Sequence, residues 1–362
     1  MSFITNGMTK TDADDCESCG NSRTDIESRA YRFSQSALYL QRVLRFFTSE
    51  QNDMSVLAVG TVALDSIETP FGKAENILGG SAMYITMAAR FFSTDVRLVA
   101  VVGYDFPDEF VDQLRDAEID LTGLEIDESS KTFAWEGKYE HDLNQRNTIA
   151  THLNALKTFR PQIPDQLRKS NIVCLGNLDP HVQCSVLDQM IDPTFVVCDT
   201  MNYWIDETPE KLRETLGRID CLIVNDSECR QLADEPNLIR SSKLIQQMGP
   251  KILVIKKGEH GALLFTEDNV FSVPAYPLED IQDPTGAGDA FMGGFAGHLS
   301  AQKDISLDTL KQAVVFGSAV ASFTVEAFGP DRLFEIENAD IRKRIEAFRD
   351  LTTIPTLEIV NS

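Results

Sequence analysis

The sequence predicts an α/β fold, a parallel central sheet covered by helices on both faces. Two observations predict it. Short runs rich in Val, Ile and Leu recur at 56–59, 96–102, 172–175, 195–198, 222–224 and 252–255. They are apolar almost without interruption, which is how strands buried on both faces read. Helical patterns lie between them, at 81–92, 108–117, 183–190, 210–217, 227–233 and 238–248. A repeated strand–helix–strand order needs a crossover each time, and a crossover makes the two strands parallel. Ligands of such sheets bind beyond the carboxyl ends of the strands.

Two stretches interrupt the alternation. One, at 65–78, reads DSIETPFGKAENIL; the other, at 121–148, includes KTFAWEGKYEHDLNQRNT. The second alternates β-formers with polar residues, so it predicts extra strands outside the main sheet. Both stretches follow strand ends, which suits a small lid over a site. The chain before Met54 differs again. Residues 1–22 are rich in Thr, Asp and Ser and predict disorder. Over 23–50 an apolar stripe runs through Ile26, Ala30, Phe33, Ala37, Leu40, Leu44 and Phe47. That spacing predicts an amphipathic helix, for a partner, a short coiled coil or the main body. Met54 opens MSVLAVG, the first strand. Residues 1–53 are therefore expected to be a dispensable extension, and 54–362 the catalytic domain.

The chain carries 33 basic and 56 acidic side chains, a formal charge of −23. This disfavours nucleic acid and anionic membranes as partners, since both need a basic surface. No apolar run approaches the length of a membrane span. The first residues are polar and acidic without a basic or apolar leader region, so the expected location is cytoplasmic. The seven cysteines form no paired framework. Cys174 and Cys198 sit in apolar runs and read as buried reduced thiols. Cys16 and Cys19 are spaced for half of a zinc site, with no second pair to complete it.

The chemistry concentrates at 283–294, DPTGAGDAFMGG. Gly286, Ala287 and Gly288 are small residues opening an apolar helical run. Such a helix N-terminus exposes backbone N–H groups and the positive dipole end, an anion site suited to phosphate. Asp289 lies inside that turn. A carboxylate there is poorly placed to bind phosphate. It is well placed to take a proton from a hydroxyl attacking a phosphoryl group. The plainer alternative is that Asp283 caps a helix and the glycines make a tight turn.

On these residues the chain resembles the ribokinase-like (PfkB) carbohydrate kinase family. Its signature is D-T-x-G-A-G-D before an apolar, glycine-bearing helix; Pro284 stands where the family has Thr. The resemblance runs from Met54 to the C-terminus in motif order. It implies a Rossmann-like three-layer sandwich with a mostly parallel sheet and a small β lid. It implies ATP as donor, Mg²⁺ as helper and the primary hydroxyl of a sugar, nucleoside or related alcohol as acceptor. It makes Asp289 the catalytic base and Gly286, Ala287 and Gly288 the anion hole. It gives Asp283 and Thr285 one side of a monovalent-cation (K⁺) site, completed by 322–329.

The resemblance extends to the first half. Asp65, in GTVALD, matches a residue binding substrate hydroxyls, which a carboxylate does in a bidentate way; alone it would read as a turn Asp. Gly79 and Gly80, in LGGSAMY, match a di-glycine that lets backbone approach substrate, and read equally as a helix entry. The family often has Asn where Tyr84 stands. Gly103 and Asp105, in VVGYDF, match a further motif. Asn225 and Glu228, in NDSE, match N-x-x-E, whose Glu organises water and Mg²⁺; they also read as a helix cap. Lys256, Lys257 and Gly258, in IKKGEHG, fall where the family lines its nucleotide pocket, without the family's usual small hydroxyl residue; Gly258 and Gly261 are the nucleotide-loop candidates, with Lys257 on phosphate or in solvent.

Acceptor choice is expected to fall to the lid and the strand ends. Phe133, Trp135, Lys138, Asn144 and Arg146 are the lid candidates. Their aromatics would cover a sugar face or stack a base, or else pack the lid or a homodimer interface. Asn177, Asp179, Asp199, Asn202 and Trp204 are candidates from GNLDP and DTMNYW, with ordinary turn chemistry as the alternative. The leading expectation is an ATP-dependent sugar kinase. A nucleoside kinase and a non-catalytic sensor of the same fold are the alternatives.

Overall fold

The computed structural model describes residues 54–353 except Gln145. The 23–50 stripe, Cys16 and Cys19 lie outside the described residues. The strands are β1 (Val56–Val59), β2 (Ala63–Thr69), β3 (Gly72–Gly79), β4 (Val96–Gly103), β5 (Ile119–Asp127), β6 (Ala134–Tyr139), β7 (Arg146–His152), β8 (Ile172–Leu175), β9 (Phe195–Cys198), β10 (Cys221–Asn225), β11 (Ile252–Lys256), β12 (Ala262–Phe265) and β13 (Val270–Val273). The helices are α1 (Ser81–Ala89), α2 (Asp108–Asp116), α3 (Pro180–Gln189), α4 (Asn202–Glu207), α5 (Pro209–Leu216), α6 (Asp226–Ala233), α7 (Leu238–Gln246), α8 (Ala287–Ser300), α9 (Leu307–Thr324), α10 (Asp331–Glu335) and α11 (Asn338–Thr352).

β1 shows why the strands are apolar throughout. Its four residues are fully buried. Val56 and Ala58 join one apolar cluster, with residues of α1, α8 and α9. Leu57 and Val59 join another, with residues of α3, α5 and α7. Successive side chains alternate between faces, so a strand with helices on both sides has no polar face to show.

The larger sheet has nine strands in the order β13-β12-β11-β10-β9-β8-β1-β4-β5. From β5 to β11 every pair is parallel, and β12 and β13 add an antiparallel edge. Strand order reverses at β1, which pairs with β4 on one side and β8 on the other. That reversal opens a crevice at the carboxyl ends of these strands.

α8 runs beside α1 within the first cluster. A Cβ at Gly293 would collide with the Ile85 carbonyl, and one at Gly297 would lie 2.9 Å from Ala89 Cα. A glycine inside a helix costs about 1 kcal/mol of propensity. Here it admits a second backbone at close range. The matched rise of these contacts makes α1 and α8 parallel, so both N-termini reach the carboxyl edge of the sheet.

The smaller sheet has the order β3-β2-β6-β7. β2 and β6 are parallel, and the outer pairs are antiparallel. The 121–148 stretch therefore divides, which corrects the reading of it as one lid insert. Residues 121–127 belong to β5 and pair with β4 in the larger sheet. β5 is an edge strand, so several of its residues face outward and its sequence alternates like a strand outside the core. The described cysteines, Cys174, Cys184, Cys198, Cys221 and Cys229, are all free and buried. No described helix is long and apolar enough to cross a membrane.

Candidate active site

Strand ends of the larger sheet and the N-termini of α1, α6 and α8 meet at the carboxyl edge. Gly286 is the N-cap of α8 in the left-handed region, with φ of 77°. Its missing side chain matters twice. A non-glycine residue would be strained there, and its Cβ would collide with the Tyr84 ring of α1. Asp289 sits in the first turn of α8. Its Oδ1 is buried without a hydrogen-bond partner. Burial, then the nearby Asp199 carboxylate, push its pKa up to about 7 against the pull of Lys256 and Arg146.

Lys256 ends β11, and its ammonium lies 3.6 Å from Asp199 Oδ2, just beyond β9. Burial would lower the Lys256 pKa, but Asp199, Glu228 and Asp289 together hold it above its ordinary value. Asn225 and Glu228 form a reciprocal cap on α6. The Glu228 N–H donates to Asn225 Oδ1 and the Asn225 N–H to Glu228 Oε2, each at 2.8 Å. Glu228 is pushed up to about 7, by burial and then by Asp199.

Asp65 lies across the crevice on β2, buried, with Oδ1 unpartnered. Its pKa rises to about 7 through burial, then Asp283 and Asp289, against backbone hydrogen bonds from Trp135 and Gly80. A side chain at Gly79 would collide with Asp65 Oδ2. Gly80 caps α1 with φ of 98°. The Tyr84 hydroxyl is buried and unpartnered as well, and burial followed by Asp283, Asp65 and Asp289 raises its pKa. Three orphaned polar atoms thus face one crevice: two carboxylate oxygens and one phenol.

The 283–285 turn is braced on both sides. The Asp283 carboxylate accepts from the Thr285 N–H at 2.8 Å and the Gly329 N–H at 3.3 Å. The Val325 carbonyl accepts from Gln282 and Asp283. This brings the 283–285 turn beside 325–329, the two segments expected to flank a monovalent cation. The Thr285 hydroxyl donates to Tyr139 Oη of β6 at 3.2 Å. Asn144 donates to Glu259 at 2.7 Å, beside Gly258 in the turn after β11. The smaller sheet therefore touches the larger one at two loops, one of them opening α8. Trp135 pairs with Asp65 in register, which sets both on one face of the smaller sheet. Arg146 lies 5.9 Å from the Trp135 ring centre.

The structure separates some candidates from this group. The Asn202 amide is bonded to Gln231 of α6, and Trp204 Nε1 donates to Asn177 at 2.9 Å. These residues tie α4 to its neighbours instead of meeting Asp65. The cation at the turn is Lys256 rather than Lys257, which has no ion pair among the described residues. Strand alternation carried the signal. Val254 faces the α8 cluster and Ile255 the opposite one, so Lys256 returns to the α8 side. Tyr139 was missed too, although it shares the alternation of Trp135 and Gly137.

Two predictions arise here. Tyr84→Phe keeps the ring and removes an unpaired buried hydroxyl, so unfolding should become harder by about 1 kcal/mol. Denaturant titration of the ligand-free protein checks this; an unchanged or lower midpoint would show a hidden partner. The second concerns pH. Asp65, Glu228 and Asp289 have folded pKa values near 7, above their unfolded values. Their stabilisation is full below the unfolded carboxylate range and is lost as pH rises through 7. His298 opposes them, since burial pushes it down to about 3 and the unfolded chain takes its proton below about 6.5. Three groups outweigh one. Tm should be higher at pH 6 than at pH 8, as differential scanning fluorimetry would read; the reverse slope would contradict these environments.

A family model described as pfkB family carbohydrate kinase matches residues 56–336. A cytidine kinase of Thermococcus kodakarensis is 26% identical over 246 residues, covering 67% of this chain and 87% of that protein. A nucleoside kinase of Methanothermobacter thermautotrophicus is 27% identical over 299 residues, covering 76% and 91%. Among solved structures, the Methanocaldococcus jannaschii nucleoside kinase superposes with a TM-score of 0.66 at 22% identity, covering 82% of this chain and 99% of that one.

Proposed function

The chain belongs to the pfkB carbohydrate kinase family, and from that premise we propose that it transfers the γ-phosphoryl group of ATP to a sugar hydroxyl, with the ribosyl group of a nucleoside preferred over a free sugar. The observation that carries the reaction is Asp289. Its Oδ1 is buried, unpartnered and set in an electropositive helix turn beside Lys256. With a pKa near 7 it accepts a proton near neutral pH and holds it only weakly. The preference for a nucleoside is supported by the cytidine and nucleoside kinases among the relatives.

In this reading the acceptor lies between Asp65, Tyr84 and Asp289, whose orphaned atoms it satisfies. Gly79 leaves Asp65 room to bind its hydroxyls. Asp289 takes the proton of the attacking hydroxyl. The amides of 286–288 stabilise charge on the transferring group, the Ala287 N–H giving up its long 3.3 Å bond to the Pro284 carbonyl. Glu228 would hold Mg²⁺ through water, and that ion would neutralise phosphate charge. Its carboxylate is committed on one oxygen to the α6 cap, which suits a water-mediated role better than direct ligation. Asp283 and Thr285 would stand beside K⁺. The smaller sheet acts as the lid, excluding water through its contacts at Thr285 and Glu259.

ADP release tests this with cytidine, adenosine, inosine, ribose, fructose and inositol, in ATP and Mg²⁺ with and without K⁺. The expected result is a kcat/KM for one nucleoside at least about tenfold above that for any free sugar. Equal turnover of ribose or fructose would make it a sugar kinase. No release with any acceptor would favour a sensor.

A further inference from the structure

We propose that Lys256 is a catalytic residue of this chain that turns from its ion pair with Asp199 to bind the transferring phosphoryl group, Asp199 being the residue that positions it. The inference rests on the phosphoryl-transfer reading and adds a group to it.

Gly288 is the first indication. It lies inside α8 and its φ is not positive, so no backbone strain explains a glycine there. The position is informative for what stands beside it. A Cβ at 288 would lie 2.7 Å from Lys256 Nζ. The ammonium therefore stands directly against the turn on that side. Whatever anion meets the amides of 286–288 therefore meets this ammonium as well.

The second indication is the looseness of the ion pair. Nζ stands 3.6 Å from Asp199 Oδ2, with both side chains largely buried. A charge-assisted hydrogen bond would be nearer 2.7–2.9 Å. Asp199 Oδ1 meanwhile accepts from the Thr200 N–H at 2.7 Å, which fixes the carboxylate. The ammonium is held near the turn by attraction and a long hydrogen bond to Asp199, which takes one of its donors. An ammonium has three, and phosphate oxygens are apt acceptors for the rest.

The step balances without consuming Lys256. The bond from γ-phosphorus to the ADP oxygen breaks. A bond from γ-phosphorus to the acceptor oxygen forms, and the acceptor proton passes to Asp289. Lys256 keeps its proton throughout and supplies positive charge where negative charge gathers.

The test compares Lys256→Met with the double variant Asp199→Asn/Lys256→Met. Removing the lysine alone strands a buried carboxylate, so that variant risks misfolding. The double variant removes the pair together and is expected to fold, as thermal melting would show. Its kcat should still fall about 100-fold, the usual effect of losing one transition-state donor. Acceptor KM should stay within a few fold. Recovery of near wild-type kcat in the double variant would overturn the proposal, because Lys256 would then only neutralise Asp199.

Titration calorimetry with ADP and with a non-hydrolysable β,γ-methylene ATP analogue gives a second readout without turnover. Wild type should prefer the triphosphate and the double variant should lose that preference. A preference kept in the variant would overturn the proposal alone. A wild-type chain binding neither nucleotide would overturn the phosphoryl-transfer reading along with it.

Discussion

Asp289→Asn is expected to lower kcat by roughly 10²- to 10⁴-fold, the range a positioned general base contributes. Acceptor KM should change little, because Asn has the same shape and still accepts through its carbonyl oxygen. The carboxylate lies at the N-terminus of α8, with Oδ1 buried and unpartnered. An incoming hydroxyl would fill that vacant acceptor. The same substitution should raise Tm at pH 8. Burial and the Asp199 charge push the Asp289 pKa up to about 7, so at pH 8 the native state holds an anion it disfavours. Lower turnover with higher stability is the signature of a functional group kept at the expense of the fold. Steady-state kinetics and a melting curve on one preparation check both halves. Near-normal turnover would remove Asp289 from the mechanism.

Gly286→Ala is expected to destabilise the protein by about 2–5 kcal/mol. The left-handed conformation, φ of 77°, costs a non-glycine residue about 1–2 kcal/mol. The collision with the Tyr84 ring adds about 1–3 kcal/mol, because that ring is buried in the first cluster and must shift to admit a Cβ. Since the turn carries the amides nearest Asp289, kcat should fall with stability. Adding Tyr84→Phe should give no relief beyond the about 1 kcal/mol it gives the wild-type chain, because the clash is with ring carbons and not with the hydroxyl. Thermal melts of the single and double variants test this. A wild-type Tm in the Gly286→Ala variant would mean the turn yields freely, which a preformed anion site must not do.

The layering was legible because it depends on local pattern. Residues 172–175 and 195–198 read as buried strands and form β8 and β9 with the same limits. β5 was misplaced because an edge strand exposes one face and loses the continuous apolar run on which the reading relied. Lys256 and Lys257 are adjacent in the sequence, and neighbouring positions on a strand point to opposite faces, so only the sheet tells which of them turns toward Asp199. The polar loop at 199–204 looked uniform, yet Asp199 faces Lys256 while Asn202 is held by Gln231. Nothing in the local sequence separates the two.

By itself the sequence determined the six buried parallel strands and the helices between them, the helix turn at 283–289 and the chemistry that turn can support. These follow from periodicity, glycine placement and one carboxylate, all read within a short window. Only the tertiary structure decided which distant groups share the crevice: Asp65, Tyr84, Asp199, Glu228, Lys256 and Asp289. It also decided their protonation. Burial and through-space charge push Asp65, Glu228 and Asp289 to about 7. Neither effect has a counterpart along the chain, because both depend on what folding removes from water and what it brings near.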